Sequence, residues 1–217
     1  MDWMGQTDNY CERVDFAFWS EPVNAVTNAS FMIAAIVVWA MLGGKRDPGA
    51  RVLVAILAAI GIGSFLFHTY ATRWALLADT LPIQLFILAY LFFATVRFFQ
   101  LPLWAGGAAV VAFFPYAFLV VAGLRPITGG LNGSLGYVPV PILILGFAAA
   151  LWRSAPETAR GMAIGAGILL ASLFFRTIDE AVCSVFPLGT HFLWHTLNGI
   201  MLGWMIMVLH RHVPAPR

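Results

Sequence analysis

Charged side chains are scarce in this chain. Only 10% of its 217 residues are Asp, Glu, Lys or Arg, while 61% are hydrophobic; a soluble domain carries about 25% charged residues. A soluble core of this size has nowhere to hide so much apolar surface, so the composition excludes a soluble domain and predicts an integral membrane protein. Lysine is scarcer still, with Lys45 the only one. It falls between apolar runs, which excludes a retinal Schiff base, since that needs a lysine inside a helix. A basic segment ahead of the first apolar run is missing too. The polar, acidic opening from Met1 to Asp8 predicts that no signal peptide is cleaved and that the first spanning helix directs insertion. Internal repeats and low-complexity tracts are absent, which predicts a single domain over residues 1–217. The formal net charge of +2 carries no signal for nucleic acid, because basic residues in such chains mostly report orientation.

Seven apolar runs are present: Pro22–Leu42, Val52–Tyr70, Asp79–Val96, Leu101–Gly123, Ser134–Trp152, Gly161–Phe175 and His191–Leu209. Most approach the ~20 residues that a bilayer requires, and helices are the one open-ended way to satisfy a backbone in lipid. The prediction is an all-α bundle of seven transmembrane helices. Lys45, Arg46, Arg51, Arg97, Arg153, Arg160, Arg211 and Arg217 then fall on one side, against Arg13, Arg73, Arg125 and Arg176 on the other. This asymmetry predicts an N-terminus outside, a C-terminus in the cytoplasm, and residues 1–21 as an acidic extracytoplasmic segment.

With that topology, polar residues can be compared by depth. Ser64 and His68 close the second run, Asp79 opens the third, and His191 and His195 open the seventh, all at the outer level. Ionisable groups in a bilayer are costly and face a bundle interior or a wet cavity, and independent structural residues have no reason to agree in depth. His191 and His195 are four apart, one helical turn, and share a face. With His68 they make a three-imidazole zinc site that leaves a fourth position open. Zinc there would acidify a water and polarise a carbonyl oxygen. Asp79 is placed to take and return the proton, to orient an imidazole, or to cap the third helix. Ser64, one turn before His68, is placed either to stabilise a developing oxyanion or to make a helix-packing contact.

The ordered set Ser64-Phe-Leu-Phe-His68, Asp79-Thr-Leu-Pro82 and His191-Phe-Leu-Trp-His195 resembles the alkaline ceramidase family. So do Asp8-Asn-Tyr-Cys-Glu-Arg13 and Trp19-Ser-Glu-Pro-Val-Asn-Ala-Val-Thr-Asn28, particularly its bacterial members. That family is part of a wider group of membrane hydrolases that includes adiponectin-receptor-like proteins. The resemblance implies a zinc-dependent amidase that cleaves the N-acyl bond of ceramide, or of a ceramide-like lipid, into a sphingoid or other lipid amine and a fatty acid. By position, His68, His191 and His195 match the zinc ligands and Asp79 and Ser64 the catalytic pair. Trp194 matches an aromatic residue near the substrate pocket. The implied partner is a membrane lipid, with no obligate protein partner. The implied location is a bacterial inner membrane, with the active site toward the periplasm.

The resemblance further implies a calcium ion close to the zinc, bound in eukaryotic relatives by an acidic N-terminal segment. Asp8, Glu12 and Glu21 are the matching carboxylates. Two departures bear on that transfer: the stretch from Cys11 to Glu21 is shorter, and Val14 stands where a polar residue is expected. Relatives also pair cysteines matching Cys11 and Cys183, which here both fall on the outer, disulfide-permissive side.

Other residues have plainer expected roles. His210 and His212 fall at the opposite end, as interfacial residues. Asp179 and Glu180 are expected in loop or packing roles, and Asn24 and Asn28 in helix contacts or support of the acidic loop. Haem ligation fits poorly, because His191 and His195 share one helix face whereas axial imidazoles lie on opposite faces of the ring. The alternative that stays open is a seven-helix zinc-containing receptor or scaffold with little turnover.

Overall fold

Among the described residues, proline and short polar links cut the chain into eight α-helices that form seven spans long enough for a bilayer. The computed structural model describes residues 2–44 and 46–213; Lys45 and Arg217, counted in the charge asymmetry, lie outside the described residues. The first span is interrupted once: α1 (Pro22–Thr27) gives way at Asn28 to α2 (Ala29–Leu42). There follow α3 (Pro48–Tyr70), α4 (Arg73–Phe98), α5 (Leu103–Thr128), α6 (Pro139–Leu151), α7 (Pro156–Ile178) and α8 (His191–Arg211), with a 3-10 turn at Ser134–Tyr137 leading into α6. Seven of these stretches are long and apolar enough to cross a membrane, and no strand forms among the described residues. The predicted all-α, seven-span architecture is therefore what the chain adopts.

Helix starts follow familiar chemistry. Proline occupies the first position of α1, α3, α6 and α7, where its missing N–H has no helical partner to lose. The helices overrun the apolar runs at several ends. α4 begins six residues before Asp79, with Thr72 as its N-cap position, so capping is removed from the roles open to Asp79. Its first turn is satisfied instead by the N-terminal segment: Arg73 N–H donates to the Gly5 carbonyl at 3.0 Å and Trp74 N–H to that of Trp3 at 3.2 Å.

The core lies between α2, α3, α4, α6, α7 and α8, while α5 buries only Gly106 and Phe113 and turns most of its surface outward. The α3–α4 pair makes the most extensive contact. Gly63 is the reason the two backbones can meet: any side chain there would run into the Ala78 carbonyl. That close approach brings Asp79 beside Ser64, one residue along from each.

At the end of α3 away from its histidine, Asp47 gathers three elements. Its carboxylate accepts both Arg97 guanidinium nitrogens at 2.7 Å, the Ala50 N–H at 3.1 Å, and meets His210 Nδ1 at 2.9 Å. Burial pushes the Asp47 carboxyl up, but Arg97, His210 and the Ala50 N–H outweigh it and hold it well below the usual carboxylate range. Breaking a buried ion pair costs about 3–5 kcal/mol. Arg97 keeps 30% of its side chain exposed, so Asp47→Ala is expected to cost about 2–3 kcal/mol. Because the folded pKa is depressed, this stabilisation is complete above the unfolded carboxyl value of about 3.9 and is lost as pH falls below it. Thermal melts in detergent should show the wild type losing part of its advantage over Asp47→Ala below about pH 4; parallel curves would contradict the assignment.

Candidate metal centre

Three imidazoles meet at one end of the bundle. His68 lies in the last turn of α3, His191 is the first residue of α8, and His195 follows one turn later. All three are buried. One ring nitrogen from each lies within 4.8 Å of the others, and the ring centroids are 4.6 to 5.2 Å apart. The predicted convergence of two non-adjacent spans is therefore present, and among the described residues this is the one His, Cys, Asp and Glu cluster of metal-binding size.

The rings are held from behind. His68 Nδ1 lies 2.6 Å from Glu21 Oε2, and a carboxylate accepts only, so Nδ1 carries the proton. His195 Nδ1 lies 3.0 Å from the Thr27 hydroxyl, which itself donates to the Val23 carbonyl at 2.8 Å. A hydroxyl has one proton to give, so His195 Nδ1 must donate as well. Both tautomers then present a bare Nε2 lone pair. His68 Nε2, His195 Nε2 and His191 Nδ1 are buried with no hydrogen-bond partner. Buried nitrogens without partners are costly, and a shared metal ion is the ligand that resolves such a set; the donors present fit one. Hydrogen bonds from the far nitrogen are the usual means of fixing a ligating imidazole.

His191 is fixed differently. Its ring stacks on Tyr10, with centroids 3.7 Å apart. Its backbone N–H donates to Asp179 Oδ1 at 2.8 Å, as does that of Thr190 at 2.6 Å, while Asp179 Oδ2 accepts the Cys11 N–H at 3.0 Å. Asp179 thus caps α8 from across the loop and ties it to the N-terminal segment, which is the structural role expected of it. Gly189, at φ +62°, leaves no room for a side chain because Asp179 and Cys11 fill that space. Cys11 and Cys183 are joined in a disulfide, as the resemblance implied, and this pins Tyr10 over His191. Burial pushes the Tyr10 phenol well above its usual value, although Arg176 opposes this, so the phenol stays protonated.

Asp79 and Ser64 complete the cluster. Both are buried, and the Asp79 carboxyl is hydrogen-bonded to the Ser64 hydroxyl, with His68 and Arg176 in its surroundings. The charge asymmetry marks Arg176 only as an outer-side residue, yet it reaches the site. Its guanidinium lies over the rings of Tyr137 and Trp194, at 5.5 and 5.6 Å, and donates to the Asn132 carbonyl at 2.7 Å.

Beside the cluster opens an apolar cleft, lined among others by Phe31, Phe86, Tyr137, Trp194, Met201 and Met205. Helical periodicity explains its placement. On α4, Asp79 precedes Ile83, Phe86, Ile87, Tyr90 and Ala94 on one face; on α8, His195 precedes Asn198, Met201 and Met205. Each helix therefore offers a polar head and an apolar stripe on the same side. From Trp194 to Met205 the lining descends roughly 16 Å along the helix axis. Trp194, expected near a substrate pocket, stands at the cleft's upper end.

The three carboxylates of the acidic segment have separate partners. Glu12 accepts the N–H groups of Val23 and Asn24 at 2.7 and 2.8 Å and so caps α1. Glu21 receives Arg13 Nε at 2.5 Å and the Asn24 amide at 3.0 Å, besides His68. Burial pushes Glu21 up, but its bonds to His68 and Arg13 outweigh that and hold it below the usual range. Asp8 is exposed and stands apart, accepting the Tyr10 N–H at 3.4 Å. Asn24 and Asn28 support the loop, with the Asn28 amide donating to the Asn24 carbonyl at 2.9 Å. His210 and His212 remain at the far end, with Asp47 and Thr158. Thr27, Tyr10, Arg13 and Tyr137 carry no sequence pattern that marks them; only the neighbourhood of Tyr10 and Arg13 to Cys11 and Glu12 hints at a structured loop.

A family model described as Ceramidase matches residues 6–213. No curated protein matches the chain.

Proposed function

This chain belongs to the ceramidase family, and from that premise we propose that it is a zinc-dependent amidase cleaving the N-acyl bond of ceramide or a ceramide-like membrane lipid. The observation that carries the proposal is a set of unpartnered imidazole nitrogens beside an apolar cleft, two of whose lining residues, Phe31 and Trp194, meet the rings of His195 and His191. A ceramidase-type hydrolase acting on lipid needs both, one for the amide and one for the acyl chain. We read the chain as one domain with residues 1–21 and the centre toward the outside of a bacterial inner membrane, the basic links facing the cytoplasm.

His68, His191 and His195 would hold the ion. When bound, zinc supplies Lewis acidity, polarising the amide carbonyl and bringing a water's pKa toward neutrality. The remaining work belongs to the protein. Glu21 and Thr27 keep the Nδ1 protons of His68 and His195 in place, so that the Nε2 lone pairs face inward. Asp79, buried at the head of the cleft-lining face of α4, accepts the proton of the attacking water and delivers it to the leaving amine nitrogen. Ser64 donates to the carbonyl oxygen as charge develops there. Trp194 and Tyr137 flank the amide end of the cleft, and the aliphatic residues below hold the acyl chain and exclude water.

Purified protein should contain near one zinc per chain and release a fatty acid and a lipid amine from an N-acyl lipid, as read by mass spectrometry of the lipid extract. Removing the zinc with a chelator should stop release, and adding zinc back should restore it. Full zinc loading without amide cleavage across N-acyl lipids would sink the amidase reading and favour a receptor or scaffold.

A further inference from the structure

Calcium takes six to eight oxygen ligands, drawn from carboxylates, carbonyls and water. Around Glu12 and Glu21 all four carboxylate oxygens are already engaged, and the buried oxygens left without a partner, Asn24 Oδ1 and Asn28 Oδ1, are neutral and bring no charge to hold a divalent cation. Both Glu12 oxygens accept backbone N–H groups, at 2.7 and 2.8 Å. Both Glu21 oxygens are taken, Oε1 by Arg13 Nε at 2.5 Å and Oε2 by His68 Nδ1 at 2.6 Å and the Asn24 amide at 3.0 Å. Asp8 is exposed and does not join them. The donor set therefore does not fit a calcium ion.

In its place stands a side chain. The Arg13 side chain is only 1% exposed. Besides Glu21, its guanidinium donates from Nη1 to the Asp15 carbonyl and from Nη2 to the His68 carbonyl, both at 3.0 Å. One carboxylate and two backbone carbonyls are the kinds of oxygen a divalent cation would recruit. The three bonds leave along different edges of one rigid plane, which a guanidinium allows and a compact ammonium does not reproduce. We infer that Arg13 is the resident cation of the N-terminal loop, so that this chain carries covalently the charge that calcium supplies in the relatives it resembles and needs no calcium to hold its metal centre. Arg13 acts as a positioning residue. It neutralises Glu21, Glu21 orients the His68 ring, and the same guanidinium grips the backbone of His68 itself. The inference concerns how the histidines are held and stands whatever bond the centre cleaves.

The experiment is a calcium titration of zinc-loaded wild type in calcium-free buffer, followed by calorimetry and thermal unfolding. Up to about 1 mM calcium, where extracellular calcium modules are filled, we expect neither a binding isotherm nor a rise in Tm. Saturable calcium binding that raises Tm, and that Glu21→Gln abolishes, would overturn the inference. In a second arm, Arg13→Ala should weaken zinc affinity by about 10- to 100-fold, the usual penalty for losing a residue behind a metal ligand. Added guanidinium ion should recover part of it, while Arg13→Lys should fall between the two. Wild-type zinc affinity and Tm in Arg13→Ala would also overturn it. Should Arg13→Ala fail to fold, the wild-type titration decides alone. Neither arm reads amide hydrolysis, so a failed substrate assay would count against the amidase reading and leave Arg13 in its role.

Discussion

Purified His195→Ala is expected to carry less than about a tenth of the zinc found in wild type and to lose amide hydrolysis by about three orders of magnitude or more. Two imidazoles do not make a protein zinc site, which takes three protein ligands when a position is left open. The buried surroundings supply no replacement: among the described residues, no other His, Cys, Asp or Glu places a ligand atom within 4.8 Å of all three of these nitrogens. The substitution also removes the partner of the Thr27 hydroxyl, but that hydroxyl keeps its bonds to the Val23 and Asn24 carbonyls at 2.8 and 3.1 Å. The first span therefore keeps its own support, and the helical content should persist. Metal analysis alongside circular dichroism makes the comparison. Retained zinc with retained turnover would mean that the three rings do not share an ion. A second expectation follows from the geometry: glutamine at position 195 is too poor a ligand to restore the metal, even though it fills the space.

Much of this centre is legible in the sequence, and the reason is periodicity. A membrane span is a rod of known length, so the parity of successive spans assigns each polar residue a depth. His68, Asp79, Ser64 and the His191–His195 pair follow from that logic with no contact known. What escapes it is everything held by irregular backbone. Thr27 looks like an ordinary helix threonine until the packing of α1 against α8 brings its hydroxyl to His195. Arg13 and Glu21 are joined by the course of a loop, and no spacing rule says that a guanidinium eight residues away will meet that carboxylate. Helix ends escape for another reason. Hydropathy marks where the lipid contact begins, whereas α4 starts at Arg73 because the N-terminal segment satisfies its first N–H groups. Apolar runs alone therefore put Asp79 at a terminus, when it is six residues inside a helix. That shift sharpens its chemistry, since an interior aspartate has no backbone N–H to cap and its carboxyl is left for the site.

Asp79→Asn is expected to separate the two halves of the centre, leaving zinc near one per chain while amide hydrolysis falls by about 10²–10⁴-fold. The amide has the size of the carboxyl and can still meet Ser64, so packing at the α3–α4 contact should survive; Gly63, which lets the backbones touch, is untouched. What asparagine lacks is a site for the proton. Hydrolysis of an amide requires a proton to leave the attacking water and another to reach the departing nitrogen, because an amine anion is too poor a leaving group. Among the groups around the centre, His68 and His195 have their Nδ1 protons committed to Glu21 and Thr27, and the half-buried Arg176 guanidinium cannot accept one. Asp79 alone among them joins an accepting oxygen to a place beside the cluster and at the head of the apolar face that descends through Ile83 and Phe86. The loss should appear in kcat rather than in KM, since the acyl chain's cleft is unaltered and the missing group acts only as the bond breaks. A variant with full zinc and wild-type kcat would move the proton shuttle elsewhere, and a variant that lost its zinc would make Asp79 a holder of the histidines instead.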